Sequence, residues 1–181
     1  MKTIRLLYPD YISGGLDAYY FGADLMAHIL PENENQPLLK VKITPPDGTE
    51  RRVTDGIYGK DEVISGIRQA MDIIEEAKPD KIITIGGNCM VSQAAFDYLH
   101  GIYENTGIIW IDAHPDVSRV KDGYPSQCAR HGSGVAAGIW GQCAVGSDEK
   151  QKIRIRRNSV RGAAGSARLS EKIPGRQKDK L

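Results

Sequence analysis

Residues 107–116 read GIIWIDAHPD, and the interpretation of the chain starts from them. The short apolar run at 107–111 has the β-branched content of a buried strand, which the pattern predicts to end at Asp112. Asp112, His114 and Asp116 then follow at every second position. Because side chains two residues apart in extended backbone point the same way, these three groups can converge on one point.

Carboxylate oxygens combined with one imidazole suit Mn²⁺, Mg²⁺ or Zn²⁺ better than a thiophilic metal. The spacing therefore predicts a metal site formed by Asp112, His114 and Asp116. The alternative is that these are ordinary polar residues of a loop after a strand, since short motifs also arise by chance.

Strand and helix patterns alternate throughout residues 1–116. Short apolar runs predict strands at 3–8, 39–43, 81–85 and 108–111. Apolar residues at three- and four-residue intervals predict helices at 16–30, 60–78 and 90–103. This order predicts an α/β fold with a largely parallel sheet covered on both faces.

In such sheets, ligands bind beyond the carboxyl ends of the strands. Two segments fall there, residues 86–92 and 112–118. The first contains Gly86-Gly87-Asn88-Cys89, whose glycines allow close backbone approach to a ligand. The residues by themselves favour a simpler interpretation, a strand-to-helix turn with Cys89 as a small buried apolar residue.

Composition is that of a soluble globular protein, with 40% hydrophobic and 26% charged residues among 181. The chain has no apolar run of about 18 residues and no N-terminal signal segment. Its three cysteines form no paired framework. We therefore expect a cytoplasmic protein of one domain by size, with reduced thiols and no membrane partner.

Together, Gly-Gly-Asn-Cys at 86–89 and Trp-Ile-Asp-Ala-His-Pro-Asp-Val-Ser at 110–118 resemble the arginase, agmatinase and formimidoylglutamase family, the ureohydrolases. The family pattern is Gly-Gly-Asp-His-Ser, then Asp-Ala-His-x-Asp, and later Asp-x-Asp. The resemblance covers roughly residues 1–120. It implies a three-layer αβα fold around a mainly parallel sheet, a pair of Mn²⁺ ions, and two-metal hydrolysis of guanidino or formimino substrates.

Carried over by position, the resemblance implies that Asp112 bridges both metals, Asp116 serves one ion and His114 the other. Cys89 stands where the family has a ligand histidine, and Asn88 where it has the adjacent aspartate. No Asp-x-Asp follows Asp116. A thiolate also suits Zn²⁺ better than Mn²⁺. One Mn²⁺ ion or none is therefore expected in this chain.

Two further positions correspond to substrate-handling residues of the family. Ser118 occupies the place of a substrate-contacting asparagine, and His131, followed by Gly132, resembles a histidine that assists proton transfer or substrate binding. The resemblance thus implies a metal-dependent hydrolase of C–N bonds in linear amidines, impaired by the missing ligands. The alternative is a non-catalytic metal-binding or interaction module.

The sequence changes character near residue 129. Strand signals already vanish after about residue 120, and residues 150–181 hold eleven Lys or Arg against two acids. We predict an N-terminal family portion at 1–128 and an atypical basic tail at 129–181, disordered or read in a shifted frame. Residues 150–181 lack aromatic residues and nucleic-acid motifs, so no nucleic-acid partner is expected. A sheet cut short leaves apolar surface uncovered, which favours a homo-oligomer.

Overall fold

The structure is a computed structural model, and it describes residues 1–54, 57–103, 106–109 and 111–112. In chain order its elements are β1 (Thr3–Tyr8), α1 (Ala18–Ile29), β2 (Leu38–Lys40), β3 (Val53–Thr54), β4 (Ile57–Tyr58), α2 (Lys60–Ala77), β5 (Lys81–Gly86), a 3₁₀ helix (Cys89–Ser92) and α3 (Gln93–Ile102). The main sheet is parallel, in the order β2-β1-β5.

This sheet lies between two helical layers. One face of β1 presents Ile4 and Leu6 to a buried cluster that includes Ile74 of α2 and two alanines of α3. The opposite face presents Leu7, which packs with β5 against Ala23 of α1. The predicted three-layer α/β architecture is therefore confirmed in the part of the chain that the structure describes.

The helix α2 shows why the periodic pattern predicted its position well. Its buried side chains recur at three- and four-residue intervals, and they pack on the sheet or on the loops that follow it: Val63, Ile67, Ala70 and Ile74. The helix ends at Ala77, and the residue that caps it, Lys78, takes a left-handed conformation (φ 47°) before Pro79. Since local residues set both the buried stripe and the stop, the predicted range of 60–78 differs from the observed one by a single residue.

The predicted strand at 107–111 is wrong where the structure describes it. Residues 106–109 and 111 form no strand, and Ile109 and Ile111 are 83% and 90% exposed. A strand needs a hydrogen-bonded neighbour, and among the described residues β5 pairs with β1 alone. The apolar composition of this run predicted burial, but local sequence does not supply the neighbouring strand.

A small hairpin was missed by the sequence analysis. The antiparallel strands β3 and β4 pair Val53 with Tyr58 and Thr54 with Ile57. Its signal was Asp55-Gly56, a dipeptide typical of two-residue hairpin loops. Just before the hairpin, Arg51 donates a hydrogen bond to the Tyr11 hydroxyl (2.9 Å). This contact ties the hairpin to the loop that follows β1.

Two predictions remain, that of self-association through uncovered apolar surface and that of a basic tail. The outer side of α1 exposes large apolar residues, namely Phe21, Leu25, Met26 and Ile29. This is the kind of uncovered apolar surface from which self-association was predicted, and the homo-oligomer stays a prediction. The basic tail at 129–181 and its boundary lie outside the described residues.

Candidate metal centre

Two loops leave the sheet at the same edge. The register of β1 and β5 pairs Tyr8 with Gly86, so both strands end at one level. The loop at 9–15 follows β1 and the loop at 87–92 follows β5. Because the strands are parallel, this is the carboxyl edge at which ligands bind in α/β sheets.

The loop at 87–92 packs directly on the loop at 9–15. A Cβ atom added at Gly87 would lie 2.0 Å from the carbonyl oxygen of Asp10. No side chain fits in that space, which explains the glycine at this position. The glycine thus serves contact between two loops, where the sequence suggested approach to a ligand.

Three polar side chains form a buried network between these loops, which we call the Asp10 network: Asp10, Ser13 and Asn88. Asp10 and Ser13 are 2% and 0% exposed. The Asn88 Nδ2 group donates to the Asp10 carbonyl (2.8 Å) and to Asp10 Oδ2 (2.9 Å). The Ser13 hydroxyl donates to Asp10 Oδ2 and also lies 3.0 Å from Asn88 Oδ1. The buried carboxylate is therefore satisfied by polar donors.

Asn88 also begins the 3₁₀ helix that contains Cys89. Its Oδ1 atom accepts the backbone N–H of Met90 (2.9 Å), while its own backbone is extended. This is the usual arrangement of a helix-capping asparagine. Asn88 therefore joins the Asp10 network to the backbone on both sides of Cys89.

Cys89 is half-buried and meets Asp112, the first residue of the predicted metal motif. Its Sγ atom lies 3.6 Å from Asp112 Oδ2. Asp112 is also half-buried. The structure thus brings together two of the four predicted metal ligands. In this chain Cys89 is placed beside a carboxylate, so it is more than a small apolar residue in a turn.

The remaining predicted site residues lie outside the described residues: His114, Asp116, Ser118 and His131. Their assignments stay predictions. Within the described ranges, no group of three or more His, Cys, Asp or Glu side chains is arranged to hold a metal ion.

The two predicted ligands that the structure describes do not fit a pair of Mn²⁺ ions. Mn²⁺ prefers carboxylate, carbonyl and water oxygens, whereas the pair seen here contains a thiol sulfur. Thiolate and carboxylate together suit Zn²⁺, which accepts both. The sequence predicted that the Cys89 thiol would be a poor ligand for Mn²⁺, and the structure places that thiol next to the Asp112 carboxylate.

Comparison with known proteins bears on this geometry. The model of the arginase family matches residues 37–161, well over half of the chain. The chain belongs to the arginase family. No curated protein sequence matches it. The arginase-family range contains α2, β5, Cys89 and Asp112, so the two residues found in contact both lie within it.

Membership explains the parallel sheet and helix layers, and it makes metal-dependent hydrolysis the activity expected of the family. The matched range continues past residue 128, and the position of the boundary before the basic tail stays a prediction. None of the helices in the described ranges is both long and apolar enough to cross a membrane.

Sequence reasoning missed Asp10 and Ser13. The signal was present, because both follow a strand at its carboxyl end, as Asp112 was predicted to do. Only the predicted helix at 16–30 that follows this segment carried a local pattern. Their partner Asn88 is 78 residues from Asp10 in the chain, so no local pattern connects them.

The Asp10 network also influences Tyr8, whose side chain is buried beside it. Burial, and to a smaller extent the Asp10 carboxylate, raise the pKa of the Tyr8 hydroxyl well above its usual value. In the unfolded chain this hydroxyl ionises near pH 10, while in the folded protein it stays protonated. Its contribution to stability is therefore complete below about pH 10 and is lost as the pH rises toward the folded-state pKa.

We expect the free energy of unfolding to fall more steeply above about pH 10 in the wild type than in Tyr8→Phe, which cannot ionise. Urea denaturation of both proteins at about pH 9 and about pH 11 measures this difference. Equal losses of stability in the two proteins would contradict the assignment to Tyr8.

Proposed function

We propose that this chain is a metal-dependent hydrolase of C–N bonds in linear amidines, acting on guanidino or formimino substrates with reduced efficiency. The observation that carries the proposal is the contact between Cys89 Sγ and Asp112 Oδ2 at the carboxyl edge of the sheet. Family membership supports the reaction class. The cytoplasmic location stays a prediction.

In this reaction, water adds to the electron-poor amidine carbon, the C–N bond breaks, and an amine leaves with a proton. Urea is the second product from a guanidino substrate and formamide from a formimino substrate. A divalent ion acts as a Lewis acid in such hydrolyses. Because the donor set does not fit the family's manganese pair, we derive no step from that pair.

We propose instead that a single Zn²⁺ ion binds Cys89 and Asp112. Zn²⁺ accepts both a thiolate and a carboxylate, so these two side chains would hold the ion, which would act there as a Lewis acid. The observed separation of Cys89 Sγ and Asp112 Oδ2 is 3.6 Å. His114 and Asp116 are the proposed further ligands, His131 a proposed proton-transfer or substrate-binding residue, and Ser118 a proposed substrate contact.

The test is release of urea or formamide from arginine, agmatine and N-formiminoglutamate by the full chain, loaded with Zn²⁺ or Mn²⁺ or left metal-free. We expect product with Zn²⁺ in excess of that with Mn²⁺. Cys89→His, which introduces a harder nitrogen ligand, should shift the preference toward Mn²⁺.

The competing function is a metal-binding module without catalysis, which the missing Asp-x-Asp favours. Stoichiometric Zn²⁺ without product from any of the three substrates would support that module and contradict the proposed hydrolase. Two tightly held Mn²⁺ ions per chain with full activity would contradict the zinc assignment.

A further inference from the structure

The Asp10 network includes Asn88, the residue next to Cys89 in the chain. Asn88 precedes Cys89, and the Asn88 side chain binds the backbone N–H of Met90, the residue that follows it. The backbone on either side of the cysteine is therefore held by one amide group. Whatever orients that amide also orients the thiol.

Asp10 is the group that orients the amide. Both Asn88 Nδ2 contacts go to Asp10, one to its carbonyl (2.8 Å) and one to its carboxylate (2.9 Å). Asp10 in turn is held by the backbone N–H of Ile12 (3.2 Å) and by the Ser13 hydroxyl. Since Asp10 is 2% exposed, water does not replace these contacts easily.

This arrangement also accounts for Asn88, where the family pattern has aspartate. A carboxylate at position 88 would face the Asp10 carboxylate at hydrogen-bond distance inside the protein. Two like charges cannot share such a site without a large cost. An amide removes the repulsion and supplies two N–H donors.

We propose that Asp10 is a positioning residue that, through Asn88, fixes Cys89 against Asp112. The inference rests on the proposed function for its consequence in metal binding. The placement of Cys89 itself can be tested without metal, so the two proposals can fail separately.

The experiment measures how fast iodoacetamide alkylates Cys89 in the native, metal-free protein, by mass spectrometry of the peptide that contains Cys89. Asn88→Asp places two carboxylates together, and we expect alkylation about tenfold faster because the segment opens more often. The double variant Asp10→Asn with Asn88→Asp restores one carboxylate and one amide. It should return the rate part of the way to that of the wild type, because the carboxylate at position 88 still faces the backbone carbonyl oxygen of residue 10.

Two controls separate positioning from general destabilisation. Asn33→Asp makes the same chemical change in an exposed turn, where the Asn33 side chain accepts the N–H of Asn35 (3.0 Å). Ile74→Ala removes a fully buried side chain from α2 and lowers global stability. Both controls should leave the alkylation rate of Cys89 close to that of the wild type.

Equal rates in Asn88→Asp and Asn33→Asp would overturn the proposal. So would an equal increase in Ile74→Ala, or a double variant that remains as reactive as Asn88→Asp. A parallel titration with Co²⁺ follows the thiolate-to-metal absorption band. If the wild type shows no band while the alkylation rates change as expected, positioning by Asp10 is supported and the proposed metal site fails.

Discussion

Replacing Asp112 with alanine is expected to lower Zn²⁺ affinity by more than about 100-fold, because even residues outside the ligand shell commonly contribute 10- to 100-fold. Among the residues that the structure describes, Asp112 of the metal motif lies beside a second predicted ligand, with its Oδ2 atom 3.6 Å from Cys89 Sγ. Its loss leaves the thiol without the neighbouring carboxylate. The measurement is metal content per chain after loading with Zn²⁺ and dialysis, with affinity from competition against a chelator.

The matched control is Asp24→Ala. Asp24 is an exposed carboxylate of α1, paired with Lys40 at 3.1 Å on the surface. Removing it changes the net charge by the same amount and should not affect metal binding. If Asp112→Ala and Asp24→Ala retain equal metal, the ion binds elsewhere and the proposed centre is wrong.

Gly87→Ala is expected to cost about 3 kcal/mol of stability, the upper end of the range for overpacking a tightly filled site. The new Cβ would approach the Asp10 carbonyl oxygen to 2.0 Å, and this oxygen belongs to backbone that cannot rotate away. The loops at 9–15 and 87–92 would have to separate, which would also stretch the Asn88 bond to Asp10. The measurement is the free energy of unfolding in urea.

Gly22→Ala is the matched control for this substitution. Gly22 lies in α1, and a Cβ there meets nothing within 4 Å. Alanine favours the helix by about 0.8–1 kcal/mol over glycine, so this variant should be slightly more stable than the wild type. A Gly87→Ala protein as stable as Gly22→Ala would contradict the close packing of the two loops.

The resemblance implies that Asn88 stands in place of an aspartate and Cys89 in place of a histidine, and the two side chains have different surroundings in this structure. Asn88 suits its neighbour Asp10, because its amide donates hydrogen bonds to both the carbonyl and the carboxylate of that buried residue. Cys89 places sulfur next to Asp112, which would suit Zn²⁺ better than Mn²⁺ at the proposed site. The first substitution preserves the loop, whereas the second alters its chemistry.

Local sequence determined those helices and strands whose sequence patterns depend only on residues close together in the chain. The stripe of α2, the apolar run of β5 and the stop at Pro79 each depend on residues close together, so their bounds could be predicted. The rule that parallel strands end at one edge also predicted where a site would lie. Cys89 and Asp112 do lie in contact, with Sγ 3.6 Å from Oδ2, and the metal site that they were predicted to form stays a prediction.

Tertiary structure decided whatever depends on a partner distant in the chain. The Asp10 network exists because the register of β1 and β5 brings Asp10 to Asn88 across 78 residues. The run at 107–111 is apolar enough for a strand, yet among the described residues no neighbour pairs with it. The apolar stripe of a helix depends on residues in adjacent turns. Hydrogen-bond partners and neighbouring strands that are distant in the chain are determined only when the chain folds.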